Sequence, residues 1–275
     1  MKYSKMFMSS FNKINEGLRT HSRYVGNVYI LINSNKLFFS LNNGDKYTEF
    51  NGETNKKIIK KMGIVKYTID SIKKEYEYSR IDEDFLPLAL SWIWIKGYYS
   101  IFHILSLIIA FEKSDSKYIL DKNFNSHQKI VTHINELLSK NPFNVNELNS
   151  VFCGVDLEKF VTKDYENLKP LKRFDEKLYK LSIKKVFKDT RKRNGVKEAR
   201  QKQYSVFNFC LNYREMFNYS GFHYIITENK QDQVEIKRLY NYSYSVIMNI
   251  VKAMAEYLSN KTGGELHDEL IKIYE

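Results

Sequence analysis

The chain has 275 residues, of which 43% are hydrophobic and 28% charged, and it contains only three prolines. This composition is typical of a folded globular protein of one or two domains and excludes a long disordered chain. Cys153 and Cys210 stand far apart without a CxxC pair, which excludes a disulfide framework and gives no zinc site. The formal net charge of +12 favours a polyanionic partner.

The N-terminal region, residues 1–70, is predicted to contain a small β element. Residues 24–50 read YVGNVYILINSNKLFFSLNNGDKYTEF, in which short β-branched and aromatic runs alternate with NSN and NNGD. Such breaks are typical of hairpin turns, so we predict an antiparallel hairpin or meander here. The first residues lack the apolar stretch of a secretory signal, and together with the cysteine usage this predicts a cytoplasmic protein.

Helical spacing begins near Asn55 and leads into a strongly apolar segment, FLPLALSWIWIKGYYSIFHILSLIIAF, residues 85–111. The segment is long enough to span a bilayer. Lys96 and His103 lie in its middle, however, and both are costly in lipid. We therefore predict a buried helix of a protein without a membrane partner, with a membrane span as the alternative. The default interpretation of His103 is a hydrogen-bonded core histidine, with a role in a site as the alternative.

Four further helices are predicted, at residues 125–140, 171–193, 197–218 and 232–260. We therefore predict two parts of the chain, the small β-containing region at residues 1–70 and an α-helical domain at residues 71–275. The fold class is mainly α, or α+β when the small N-terminal β element is counted. His127 and His133 fall on different faces of their helix, so this pair does not predict a metal site.

Most of the positive charge lies between Lys169 and Lys202. This segment holds fourteen Lys and Arg residues against four Asp and Glu, which leaves a net charge of +10. Aromatic residues lie between the basic ones, a pattern that favours RNA over other polyanions, although a solvated helix face is the alternative. The predicted phosphate contacts are Lys184, Lys188, Arg191, Lys192, Arg193, Lys197 and Arg200.

Three segments carry a resemblance to a known family. KGYYSIFHILSLIIA (96–110) is similar to the YYAxFH helix of HEPN proteins, SHQKIVTHI (126–134) to the Ser-His segment that follows it, and NYREMFNYSGF (212–222) to an LRExxDYxxF stretch. HEPN domains are helical bundles found in prokaryotic toxins, antiviral systems and nucleotide-binding modules. The resemblance covers roughly residues 85–260 and implies a HEPN-like bundle.

Catalytic HEPN domains cleave RNA without a metal ion, using an arginine and a following histidine from each half of a dimer. The resemblance therefore implies a homodimer and a catalytic pair of Arg214 and His223, without cofactor or metal. Eight residues separate the two here, which is more than the family pattern has. The alternatives are a structural arginine with a partly buried histidine, and a non-catalytic module that binds nucleic acid or protein, dimerising through 96–110. The sequence does not identify an antitoxin or companion protein.

Overall fold

In a computed structural model of the chain, the described residues are 47, 50–121, 126–140, 206–219 and 233–275, together with 18, 21, 22, 25, 26, 28 and 29. About 90% of the described part is helical and none of it lies in a strand. The prediction of a mainly α protein is confirmed for these residues.

The predicted β element at residues 24–50 falls mostly outside the described residues. Four described positions at its start, residues 25, 26, 28 and 29, are helical. Leu18 and Val25 are fully buried and belong to the same hydrophobic core as the later helices. The hairpin itself stays a prediction.

Beyond the helical positions between residues 18 and 29, the described part of the chain contains seven helices and one short 3-10 turn. In chain order they are α1 Gly52–Ser79, the turn Glu83–Phe85, α2 Leu86–Glu112, α3 Lys117–Leu120, α4 His127–Lys140, α5 Val206–Tyr219, α6 Gln233–Lys261 and α7 Gly264–Tyr274. The helices predicted at 125–140 and 232–260 are confirmed as α4 and α6. Helix α1 is continuous through residue 70, where the two predicted domains were divided.

Local sequence explains where the first two helices begin. The side chain of Asn51 accepts a hydrogen bond from the backbone N–H of Thr54 at 3.0 Å and so caps α1. Pro87 lies in the first turn of α2, where its missing N–H leaves no intrahelical hydrogen bond unmade. The start of α1 therefore follows from a side-chain cap and the start of α2 from a proline, and both signals are local in the sequence.

Helix α2 is the centre of the described bundle, with α1, α5 and α6 packed against it. Trp94 is fully buried, and its indole N–H donates to the hydroxyl of Ser243 on α6 at 2.9 Å. This bond satisfies the one polar atom of the largest core side chain, which would otherwise be buried at a cost. Helix α2 is apolar on nearly all of its faces because the neighbouring helices cover nearly all of them.

The lysine in the middle of α2 has a specific partner. Lys96 forms a half-buried ion pair with Glu75 of α1 and also donates to the hydroxyl of Ser71 at 3.4 Å. The segment Glu83–Glu112 is long and apolar enough to cross a membrane, but 83% of its most apolar stretch is buried inside the protein. Burial and a paired charge together favour the core-helix interpretation over the membrane span.

A buried polar network attaches the segment before α1 to the far end of the bundle. The hydroxyl of Tyr47 donates to the carboxylate of Glu112 and lies 2.7 Å from the hydroxyl of Tyr257, which donates to the same carboxylate at 3.0 Å. The backbone N–H of Tyr47 also donates to the carbonyl of Lys261 at 2.8 Å. Burial and these bonds raise the pKa of Tyr47, which therefore stays a neutral donor.

Candidate functional site

The three segments that carry the family resemblance meet at one place in the structure. Tyr99, Phe102 and His103 come from α2, His127 from the start of α4, and Arg214 from α5. We call these five side chains the Arg214 cluster. They come from three separate helices, and only the packing of α4 and α5 on α2 brings them together.

Helix α5 is held on α2 by the apolar face that its sequence predicts. Four residues at three- and four-residue spacing form this face, and all of them are buried as the spacing predicts: Val206, Cys210, Tyr213 and Phe217. The ring of Tyr213 packs on Trp94 with a centroid distance of 4.8 Å. This packing fixes the rotation of α5 and places the residue after Tyr213 at the junction with α2.

That residue is Arg214, which is only 7% exposed. One of its terminal nitrogens donates to the hydroxyl of Tyr99 at 2.9 Å, and the guanidinium carbon lies 5.4 Å from the centre of the Tyr99 ring. A tyrosine hydroxyl that accepts from arginine can still donate its own proton. Tyr99 is 36% exposed, so the residue that accepts from the buried cation reaches the protein surface.

His127 reaches the cluster because α4 begins at this residue. Ser126 precedes the helix, and its hydroxyl accepts from the backbone N–H of Lys129 at 3.4 Å, the geometry of an N-terminal cap. The His127 ring packs edge-on against Tyr99, with a centroid distance of 5.2 Å. It also packs at a tilt against Phe102, with a centroid distance of 4.4 Å. The short Ser-His sequence therefore sets both the helix start and the position of the imidazole.

Both histidines of the cluster are neutral at pH 7. Burial, then the charge of Lys61, and then that of His127 once it is protonated at low pH, lower the pKa of His103 to about 4. Burial, and then the charge of Arg214, lower the pKa of His127 to about 4. The Nδ1 atoms of His103 and His127 are buried without a hydrogen-bond partner in the described part of the chain. The expectation that His103 is fully hydrogen-bonded is therefore not met at this atom.

Two positive charges of the described residues act on these imidazoles. Lys61 lowers the pKa of His103 and Arg214 lowers that of His127, while no carboxylate of the described residues contributes to either shift. Burial raises the pKa of Tyr98 in the same region, and among the described residues the charge of Glu215 raises it further. The site thus concentrates basic groups and hydrogen-bond donors, a combination that suits an anionic ligand.

The structure places one of the predicted catalytic residues in this cluster. Arg214 lies at its centre, whereas His223 lies outside the described residues. The seven predicted phosphate contacts between Lys184 and Arg200 also lie outside them, so these assignments stay predictions. Sequence reasoning missed the contacts of Tyr99 and His127 with Arg214 and with each other, although both fall in the segments that carry the resemblance.

The described residues contain no group of three or more His, Cys, Asp or Glu side chains that could hold a metal ion. His133 lies away from the Arg214 cluster, where its Nδ1 is 3.3 Å from Glu136 and 3.2 Å from Lys113. Within residues 96–110, the predicted dimer contact, all side chains are buried except Lys96, Tyr99 and His103. A partner on this segment would therefore meet the cluster itself.

Comparison of the chain with protein-family models, with curated proteins and with solved structures finds no match.

Proposed function

We propose that this protein binds RNA and that the Arg214 cluster is where the RNA backbone is held. The observation that carries the proposal is the position of Arg214, which donates to an exposed tyrosine and lowers the pKa of the neighbouring His127, on which no carboxylate of the described residues acts. Arginine is well suited to phosphate, and an exposed aromatic ring suits an unpaired base. The +10 charge of residues 169–202 supplies the long-range attraction.

As the specific activity we propose metal-independent endoribonuclease in a toxin or antiviral defence setting. This follows from the HEPN resemblance, and it is supported by the convergence of all three resembling segments on one cluster. In such a reaction the ribose 2′-oxygen loses its proton and bonds to phosphorus, while the bond to the 5′-oxygen breaks and that oxygen takes up a proton. Arg214 would stabilise the negative charge on the phosphate oxygens. His223 would move the proton.

A non-catalytic RNA-binding module is the second candidate, and the histidine beside Arg214 favours it. A general acid or base works best when its pKa lies near the operating pH. His127 has a pKa of about 4 and is a poor proton carrier at neutral pH. The described part of the cluster therefore suits binding better than acid–base chemistry, which would depend on His223.

The two candidates are separated by cleavage of a labelled structured RNA in excess EDTA. We expect the wild-type protein to cleave, and Arg214→Ala and His223→Ala each to lower the rate by about a hundredfold or more, as loss of a charge-stabilising or proton-transferring group does. Arg238→Ala is the matched control, because Arg238 pairs with Glu235 on α6 and has no contact with the cluster.

Intact RNA with the wild-type protein would exclude the endoribonuclease and leave the binding module, provided that the RNA is retarded on a gel. Equal cleavage by the wild type and both variants would remove Arg214 and His223 from the mechanism.

A further inference from the structure

The Arg214 cluster is continuous through ring contacts from α5 to the middle of α2. Arg214 lies over the Tyr99 ring, Tyr99 touches His127, His127 packs on Phe102 at 4.4 Å, and Phe102 is 5.4 Å from His103. Tyr99 and His103 are four residues apart and so share one face of α2. The cluster is therefore an extended row of side chains rather than a single contact point.

Lys61 of α1 adds a fourth basic group near the His103 end of this row. It is half-buried, and its ammonium donates to the backbone carbonyl of Ile119 at 3.0 Å. Burial lowers the pKa of Lys61, and its charge in turn lowers the pKa of His103. An ammonium has three N–H groups, so one bond to a carbonyl leaves two donors for another acceptor.

The position of the proton on each imidazole can be argued from burial. A neutral histidine carries its proton on one of its two ring nitrogens. A buried ring nitrogen without a partner costs more free energy when it carries the proton than when it does not. The Nδ1 atoms of His103 and His127 are buried and, among the described residues, have no partner. The proton therefore belongs on Nε2 in both rings, which makes Nε2–H a hydrogen-bond donor.

We propose that Lys61, His103 and His127 extend the RNA site beyond Arg214, with the two imidazoles donating Nε2–H hydrogen bonds to phosphate oxygens of single-stranded RNA and Tyr99 stacking on a base. Lys61 and the two imidazoles then serve as donors to an anion, which fits a site where no carboxylate of the described residues acts on the histidines. This inference rests on the proposed RNA binding, but it assigns residues that neither the charge pattern nor the family resemblance assigns.

The test uses fluorescence anisotropy with a fluorescein-labelled 20-nucleotide single-stranded RNA of mixed sequence and the full chain. We expect the double variant His103→Gln/His127→Gln to bind at least about tenfold more weakly, because two hydrogen bonds to charged oxygens are lost. Lys61→Gln should also weaken binding. His133→Gln is the control, because His133 contacts Glu136 and Lys113 instead of the cluster.

Failure of this inference and failure of RNA binding give different results. Unchanged affinity of the double variant, together with weaker binding by Lys188→Ala/Arg191→Ala, would overturn the extended site and leave RNA binding intact. No binding by the wild-type protein would overturn both.

A second measurement avoids any folding defect in the double variant. In the wild-type protein, the Cε1–H signals of His103 and His127 can be assigned in NMR spectra from their loss in the single variants. We expect both signals to shift when the RNA is added, while that of His133 stays in place. Signals of His103 and His127 that do not move at saturating RNA would contradict the proposal.

Discussion

Gly97→Ala is expected to destabilise the protein by about 1–3 kcal/mol, the usual cost of overpacking a well-packed core. A Cβ atom at position 97 would lie 2.6 Å from both Cδ1 and Cγ2 of Ile247 on α6. Ile247 is fully buried, so its side chain has no free space into which it can move. The missing side chain of Gly97 is what allows α2 and α6 to cross closely.

Gly63→Ala is the matched control for this effect, because Gly63 also lies inside a helix but nothing lies within 4 Å of a Cβ there. This change should stabilise the protein by about 0.5–1 kcal/mol through helix propensity and a less flexible unfolded chain. Urea unfolding of both variants measures the difference. The double variant Gly97→Ala/Ile247→Ala should lose less free energy of unfolding than the two single variants lose together, because the smaller side chain at position 247 leaves room for the new methyl group. Similar stability of the two glycine variants would contradict the close crossing of α2 and α6.

Acidification from pH 6.5 to pH 5 is expected to destabilise the protein through His103 and His127. In the unfolded chain a histidine has a pKa of about 6.5. In the folded protein the pKa is about 4 for both, so over this window the unfolded chain binds protons that the folded protein does not. Stability therefore falls as the pH falls. The groups acting on His103 are Lys61 and His127, and the group acting on His127 is Arg214.

For His103 the expected loss over this window is roughly 1–2 kcal/mol, and for His127 it is smaller because solvent screens that ring more. His103→Gln cannot take up the proton, so its free energy of unfolding should depend less steeply on pH between 6.5 and 5. The measurement is chemical unfolding of the wild-type protein and the variant at several pH values. Parallel curves for the two proteins would show that His103 is not the group responsible.

The helices could be predicted from the sequence because their signals are local. Apolar spacing and Pro87 define α2, and the buried positions of α5 follow from three- and four-residue steps. The partner of Lys96 could not be predicted, since Glu75 lies on another helix and many acidic residues satisfy the same pattern. Periodicity shows which face of a helix is buried, and it does not show which helix covers that face.

The site was predictable only in part, for a related reason. Arg214 was singled out by a resembling segment, whereas the tyrosine that holds it and the histidine beside it depend on how α4 and α5 pack on α2. The sequence places His127 in the resembling Ser-His segment and, with His133, in a pair that does not predict a metal site, and neither pattern indicates its contacts. The His127 ring contacts Tyr99 and Phe102 of α2, which lie more than twenty residues away in the sequence and are close to it only in the folded protein.

The central claim, that this protein binds RNA through phosphate contacts, is tested most directly by measuring the RNA affinity of the wild-type protein as a function of salt. For contacts to about four phosphates of a single strand, the affinity should fall roughly 50-fold between about 50 and 200 mM salt, because counterions are released on binding. Lys188→Ala/Arg191→Ala should give weaker binding and a shallower slope. An affinity that is the same at low and high salt, or no binding at any salt concentration, would contradict the claim.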